Sequence, residues 1–539
     1  MALQTPYGFK TFYAMRRFLT VLFLWIGLAM QSQAQGHVGF NKVYSFYPDT
    51  VMKSTCLVGT IIYDSITNKI FMPLQSIPLP EPLTLLRHEA ALVRADINGN
   101  IELMKIDTQL NMISTYDDVI VSADGQFLYW GGGGFEISDT TLSQWKLTKT
   151  DKDLNIIWQY YYPTNLLEAG IFKITTIPNS SDILMSGYKY TPSGNERGLP
   201  TVPQRIYLCR IDSSGTLLSE ISPGPTYYNN GNNLAIMDNG NYLVSGRTFS
   251  WGVSRKGYSL ISDPSGTMLS HQLYGLDINS MWINDLKRAK TIAESYYNAG
   301  VLCYDEDYQN CPGFINRIDA TGTELWQKRI QASPLLQSEF RKMALLNDGS
   351  ITLSGQTRNQ ATNRDIGWIV QLDSMGNERF NRLYTYPANT DRQEYLYSIV
   401  ALPDGSFIAG GSSGAPDPLN PQSTNQKAWL IRIDSAGCTT PNCIGDIIAI
   451  QAPQLEDTDA VQLYPNPAHT QTTVRYARGF AKGAHIKVFD ALGKLVQSLQ
   501  LPEWQQEYTI DLNNLTPQLY VLQVQSGNVL QNLKLLVLP

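Results

Sequence analysis

From residue 90 to residue 434, apolar and polar residues alternate with a period of two, in short runs broken by Gly, Asn and Asp. Period two marks a strand with one buried face. "GFINRID" (313–319) and "AWLIRID" (428–434) are such runs, and each ends on an Asp. That Asp recurs at Asp96, Asp151, Asp212, Asp263, Asp319, Asp373 and Asp434, with 51 to 61 residues between copies. Gly stands three residues later in six of the seven, and Leu154 is the exception. Asp accepts hydrogen bonds from a turn backbone and Gly takes the positive-φ position, so each copy predicts a hairpin.

A second turn follows at a similar distance: "ADGQFLYWGG" (123–132), "NSSDILMSG" (179–187), "DNGNYLVSG" (238–246), "NDGSITLSG" (347–355) and "PDGSFIAGG" (403–411). The unit reads strand–turn–strand–loop–strand–turn–strand, which is one propeller blade. The unit after Asp263 is the least regular, because "TIAESYYNAGVLCYD" lacks the second Gly turn. After Asp434 no unit follows. "GFNKVY" (39–44) resembles "RFNRLY" (379–384), and 56–75 reads as a third and fourth strand around a turn. Six units and this composite make seven blades, with strands from both ends closing the ring and removing the free edge. The expected fold is all-β: a seven-bladed β-propeller over 35–446, a linker over 447–460, and a small immunoglobulin-like β-sandwich over 461–539.

Composition adds that the core is ample, with 43% hydrophobic and 16% charged residues. A net charge of −6 gives no attraction to nucleic acid or an anionic membrane. Near the N-terminus, Arg16 and Arg17 precede an apolar run over 18–30, with small Ser32 and Ala34 behind it. This pattern predicts a signal peptide over 1–34, a true start at Met15, and a cut between Ala34 and Gln35. The run is short for a membrane span, which disfavours an anchor. Export permits disulfides. Cys438 and Cys443 flank one short loop and Cys303 and Cys311 another, so each pair is expected to close locally. Cys56 and Cys209 have no obvious partner.

Candidate chemistry is sparse. The five histidines are scattered, no CxxC occurs, and "GGGG" (131–134) lacks the GK[ST] of a phosphate loop. Asp305, Glu306 and Asp307 are the best candidate calcium ligands, although a solvated acidic loop is the plainer reading. Tyrosines crowd "WQYYYP" (158–163), "TYYNN" (226–230) and "LYTYP" (383–387). They suit carbohydrate or protein binding, and they suit packing between blades equally well. With no compact catalytic set, the sequence points to a surface binding module. The rival is a polysaccharide-degrading hydrolase or lyase, which carboxylates beside a basic residue in the central funnel would favour.

Three resemblances extend this reading. "RIDATGTELW" (317–326) resembles the repeat of pyrroloquinoline-quinone enzyme propellers, but only over the turn and Trp326. An aromatic at that place recurs as Trp158 and Phe380 and is missing from the other four copies, so no cofactor is expected. "LYPNPA" (463–468), "VFDALGKLV" (488–496), "NLTPQLYVLQV" (514–524) and Lys534 closely resemble the family A C-terminal sorting domain of type IX secretion cargo. The carrying residues are Tyr464, Pro465, Asn466, Pro467, Gly493, Lys494, Tyr520 and Lys534, while Gln518 stands where the family usually has Gly. The resemblance implies passage through the periplasm and across the outer membrane of a Bacteroidetes-type bacterium. It also implies handling by the type IX translocon and a sortase, with release or attachment to surface lipopolysaccharide. The ending over 433–443 is similar to that of uncharacterised repeat propellers on such cargo.

Overall fold

The computed structural model describes residues 39–44, 54–78, 89–107, 112–136, 139–162, 168–190, 205–224, 229–248, 255–276, 278–304, 310–332, 336–359, 364–386, 393–417, 420–440, 461–476, 480–490, 494–503, 505–526 and 529–538. The expected signal peptide over 1–34 with Ala34 and Gln35, the expected linker over 447–460, the acidic cluster at Asp305, Glu306 and Asp307, Cys443 and Gly493 lie outside them. The chain divides into two compact units that part between Ile448 and Ala449. Every regular element among the described residues is a strand.

The first unit is a β-propeller built from seven antiparallel sheets among its described residues. Sheet I holds Ser54–Val58, Ile62–Asp64, Lys69–Pro78, Glu89–Asp96 and Ile101–Asp107. Sheet II holds Met112–Ser114, Asp118–Val121, Leu128–Glu136, Asp139–Thr150 and Ile156–Tyr162. Sheets III, IV, V and VI begin at Glu168–Thr176, Asn229–Ile236, Ser280–Arg288 and Leu336–Leu345, and each adds the next three strands in order. Sheet VII joins Gln393–Ala401, Phe407–Asp417 and Asn420–Ile433 to Phe40–Tyr44 from the other end of the chain. That closing pair is antiparallel, with Phe40 opposite Arg432 and Tyr44 opposite Ala428.

Each sheet buries its apolar faces against both neighbours. Phe340 and Trp368 of sheet VI pack with Ala299 and Ile315 of sheet V, and Leu430 and Ile408 of sheet VII pack with Val93 and Met72 of sheet I. Apolar clusters of this kind bridge all seven successive junctions, including VII to I, so the sheets form a ring. Strands buried on both faces follow, such as Ser295–Cys303 and Gly257–Ser262.

Two sequence expectations change. The repeat unit is out of phase with the sheet. The strand pair around each Asp turn from Asp96 to Asp373 supplies the outer half of one sheet, and the pair after it opens the next. Either phase keeps both tight-turn pairs in one sheet, so the turns leave the choice open, and the packing that pairs second strand with third decides it. The closing sheet also takes one N-terminal strand only. The strands over 56–75 belong to sheet I.

Strand direction fixes the polarity of the ring. First and second strands, like third and fourth in sheets I to VI, are joined by tight turns, so all those turns lie at one end. The longer connections, such as 79–88 and 191–204, lie at the other. At the turn end, Asp319 accepts from the N–H groups of Thr321 (2.8 Å) and Thr323 (3.0 Å). The same pattern holds at the other six copies. Leu154 adopts φ 61° where the others have Gly, and its side chain is fully buried beside Phe71 and Trp130. Tyrosines lock the sheets together: Tyr162, Tyr274 and Tyr384 donate to the carbonyls of Gly215, Gly322 and Gly437 at 2.6–2.8 Å, and Tyr44 does so to Gly99.

The second unit has two sheets. One has the order Val461–Tyr464, Gln471–Tyr476, Glu507–Asp511, and the other Leu495–Gln500, His485–Phe489, Leu519–Ser526, Val529–Leu536. They share one core around Val474, Ile486, Leu522 and Leu535.

Candidate functional site

The first strand of each sheet lines the axis of the ring, and each carries a local irregularity. Phe172, Asn284, Arg341 and Tyr397 are extra residues relative to the second strand. Such bulges redirect the side chain that follows. In sheets II to VII the second strand meets the irregularity with a glycine, and in sheet I it does so with Pro73. A Cβ on Gly300 would sit 1.8 Å from the Trp282 carbonyl, and one on Gly355 would sit 1.8 Å from that of Glu339. This explains the Gly that ends "LMSG" and "TLSG".

The residue after the bulge is Thr60, Asp118, Lys173, Asn233, Asp285, Lys342 and Ser398 in sheets I to VII. It reaches the neighbouring sheet. Asp118 accepts from the Ile174 N–H (2.9 Å) and Asp285 from the Met343 N–H (2.9 Å). Ser398 accepts from the Ile61 N–H (2.8 Å), and Asn233 donates to the Ile283 carbonyl (3.4 Å). Lysine has no lone pair to offer an N–H. Lys173 and Lys342 instead pair with Asp118 (2.9 Å) and Asp285 (3.5 Å).

From this ring a cavity of about 600 Å³ runs towards the tight-turn end, lined by residues of all seven first-strand segments. One layer further along the axis the wall is Ile62, Ile120, Thr175, Ala235, Lys287, Ala344 and Val400. Lys287 is the single charge in that layer and has no hydrogen bond or ion pair among the described residues. Asp285 draws a proton towards it, but burial and the charges of Lys173 and Lys342 prevail and lower its pKa. Burial alone would raise the Asp118 carboxyl, yet Lys173, Lys342 and the Ile174 N–H hold it below the ordinary range.

On the long-loop side of the ring, Asp117 accepts from the Gln75 amide (3.0 Å). It is open to water, yet the protein surrounding it and then the Asp118 charge push its carboxyl up to about 6, against Gln75 and Lys342. Glu339 is held by Asn284 (2.8 Å), Gln356 (2.9 Å) and Arg341 (3.1 Å). Asp365 is held by Arg358 (2.8 and 3.0 Å) and Tyr395 (2.8 Å). The axis therefore contains carboxylates beside lysines, the arrangement named above as favouring catalysis, but all except Asp117 are fully engaged.

None of these axial residues was singled out by the sequence reading. Their signal is positional: Asp118, Asn233, Lys342 and Ser398 each precede a turn glycine (Gly125, Gly240, Gly349 and Gly405) by seven residues. The residues the sequence did mark have other places. Tyr162 and Tyr384 are the inter-sheet locks already described. Cys303 and Cys311 form a disulfide, Cys438 is disulfide-bonded, and Cys56 and Cys209 are buried free thiols. No group of residues suited to a metal ion occurs among the described residues.

In the second unit, Asn466 ties the Tyr-Pro-Asn-Pro stretch to the last strand. Its side chain donates to the Lys534 carbonyl (2.6 Å) and accepts from the Leu536 N–H (3.0 Å). Tyr520 is buried and donates to the Thr516 carbonyl (2.8 Å), whereas Tyr464 is exposed and bonds Glu507 (2.8 Å). Lys494 closes a turn by donating its N–H to Asp490 (2.9 Å). Residues 462–538 match a family model described as the secretion system C-terminal sorting domain. This unit is the sorting domain of type IX secretion cargo. The sorting domain directs export to the cell surface or medium and engages the type IX machinery.

Comparison with curated proteins returned no match. Among solved structures, a puromycin hydrolase is similar at 10% identity and a TM-score of 0.42, over 78% of this chain and 58% of its own. The chain thus spans little more than half of that protein. The β-propeller domain of the trilobed protease from Pyrococcus furiosus is similar at 11% identity and 0.37, over 72% and 94%. An alpha-L-arabinanase from Penicillium chrysogenum, complexed with arabinobiose, follows at 10% and 0.36, over 74% and 98%. At such scores nothing of their chemistry carries over to this chain.

Proposed function

We propose that this cargo is a binding protein whose seven-bladed propeller takes its ligand, a carbohydrate or protein group, in the axial cavity. The supporting observation is the state of the axial charges. Asp118 and Asp285 are occupied by backbone N–H groups and lysines, so they latch sheets together and are poor candidates for proton transfer. What remains is a lined cavity of about 600 Å³, the size of many small-ligand sites. The signal peptide delivers the chain to the periplasm, where the propeller folds. The sorting domain then passes it to the translocon and a sortase, for release or attachment to lipopolysaccharide. The test is a glycan array and a surface-protein pull-down with the purified chain, beside a variant that fills the cavity, Ala344→Phe. Ligand retained equally by both would place binding elsewhere.

One observation favours the rival reading of a polysaccharide hydrolase or lyase. Asp117, near 6, adjoins Asp118, which is held low, and two carboxyl groups driven apart in this way are what acid–base chemistry requires. Turnover of an acidic or neutral polysaccharide that disappears in Asp117→Asn would establish it.

A further inference from the structure

We propose that Lys287, with Lys173 and Lys342 behind it, holds the oxyanion group of the ligand, as a carboxylate or a sulfate or phosphate ester. This rests on the reading that the axial cavity takes a ligand. Lys173 and Lys342 each have a carboxylate partner and complete a polar ring. Lys287 has neither role. It makes no sheet-to-sheet bond, and the layer it lines is otherwise uncharged, with Ile62, Ile120, Ala235 and Val400 as its walls. An unpaired ammonium facing a largely apolar cavity, with two more ammonium groups one layer away, is an unfavourable arrangement in the empty protein. An oxyanion entering from the tight-turn end passes Arg288 and Lys290, which are held by Asp238 and Asn347, and then meets Lys287, the cation without a partner among the described residues. The apolar wall suits the carbon skeleton that carries the anion. Asp118 and Asp285 offset the charges of the two ring lysines, and Asp117 is the further opposing charge. It lies beyond the ring on the long-loop side, and its carboxyl gives up its charge in mildly acidic solution.

The experiment measures thermal midpoints and calorimetric binding of the full exported chain with sodium sulfate, phosphate or glucuronate, against sodium chloride at matched ionic strength. The expected result is a raised midpoint with at least one oxyanion. Lys287→Met should lose the effect, with affinity at least tenfold weaker, and Lys287→Arg should keep it. The oxyanion that protects most identifies the ester or carboxylate source. Lys287→Met should melt no lower than wild type when empty. If it does not fold, Lys287→Gln carries the comparison. Protection no greater than chloride, or equal protection of wild type and the neutral variant, overturns the proposal. A neutral oligosaccharide that binds both forms alike in the cavity would overturn the oxyanion and leave the binding reading standing.

Discussion

At the scale of single residues, Leu154 shows two effects in opposition. A non-glycine residue at positive φ costs about 1–2 kcal/mol. Its buried side chain contributes more, since removing a core leucine costs about 3–5 kcal/mol. Leu154→Gly should therefore destabilise the propeller by roughly 2 kcal/mol although it restores the repeat consensus, and a urea titration checks the sign. Asp117 and the turn aspartates respond oppositely to pH. The Asp117 carboxyl is raised, so its contribution is complete below about 4 and is lost as pH rises through about 6. Asp117→Asn should gain on wild type by about 1 kcal/mol between pH 4 and pH 7, a figure reduced for the water that screens it. In Asp319, slight burial would raise the carboxyl, but the Thr321 hydroxyl and the N–H groups of Thr321 and Thr323 lower it. Its contribution is present above the ordinary carboxylate range and is lost as pH falls through the lowered value. Because Asp96, Asp151, Asp212, Asp263 and Asp373 behave alike, acid unfolding should be steep and lie below the ordinary carboxylate pKa.

At the scale of elements, the bulge and its facing glycine act as one device. Gly300→Ala meets a carbonyl oxygen and should cost about 3 kcal/mol, near the upper end for overpacking. Gly240→Ala has positive φ but nothing within 4 Å, so it should cost only about 1 kcal/mol. Chemical denaturation of the two variants separates steric conflict from backbone preference. This device also marks what was readable in the sequence. Turns were legible because Asp and Gly have local reasons to be there, and the strands beside them because burial alternates. Sheet membership was less so, since the repeat leaves its starting point undefined and only packing decides it. The axial ring was hidden for a different reason. Thr60, Asp118, Lys173, Asn233, Asp285, Lys342 and Ser398 differ in type and share only a position, and the position has meaning only once a bulge turns it inward. The tyrosines were visible, but several serve as locks between sheets.

At the scale of the whole molecule, closure joins the ends of the propeller. Besides the strand pair, Asn41 donates to the Thr385 carbonyl (2.8 Å) and accepts from Trp429 (2.7 Å). Arg432 reaches the Ile97 carbonyl of sheet I (3.1 Å). Removing 39–44 exposes the edge over 428–432 and should make the protein more prone to aggregate than wild type, as light scattering on warming would reveal. Removing 461–539 should abolish export and leave folded propeller inside the cell envelope, which fractionation and proteolysis would report. The Asn41–Trp429 bond spans 388 residues of sequence. A ribosome must therefore deliver nearly the entire propeller before its first strand can find its place. Until then the nascent chain has an unmatched margin, and holdase chaperones have a reason to attend it. The sorting domain follows the sealing strand in the chain, so any machinery that reads it meets a protein already holding every strand its propeller needs to close.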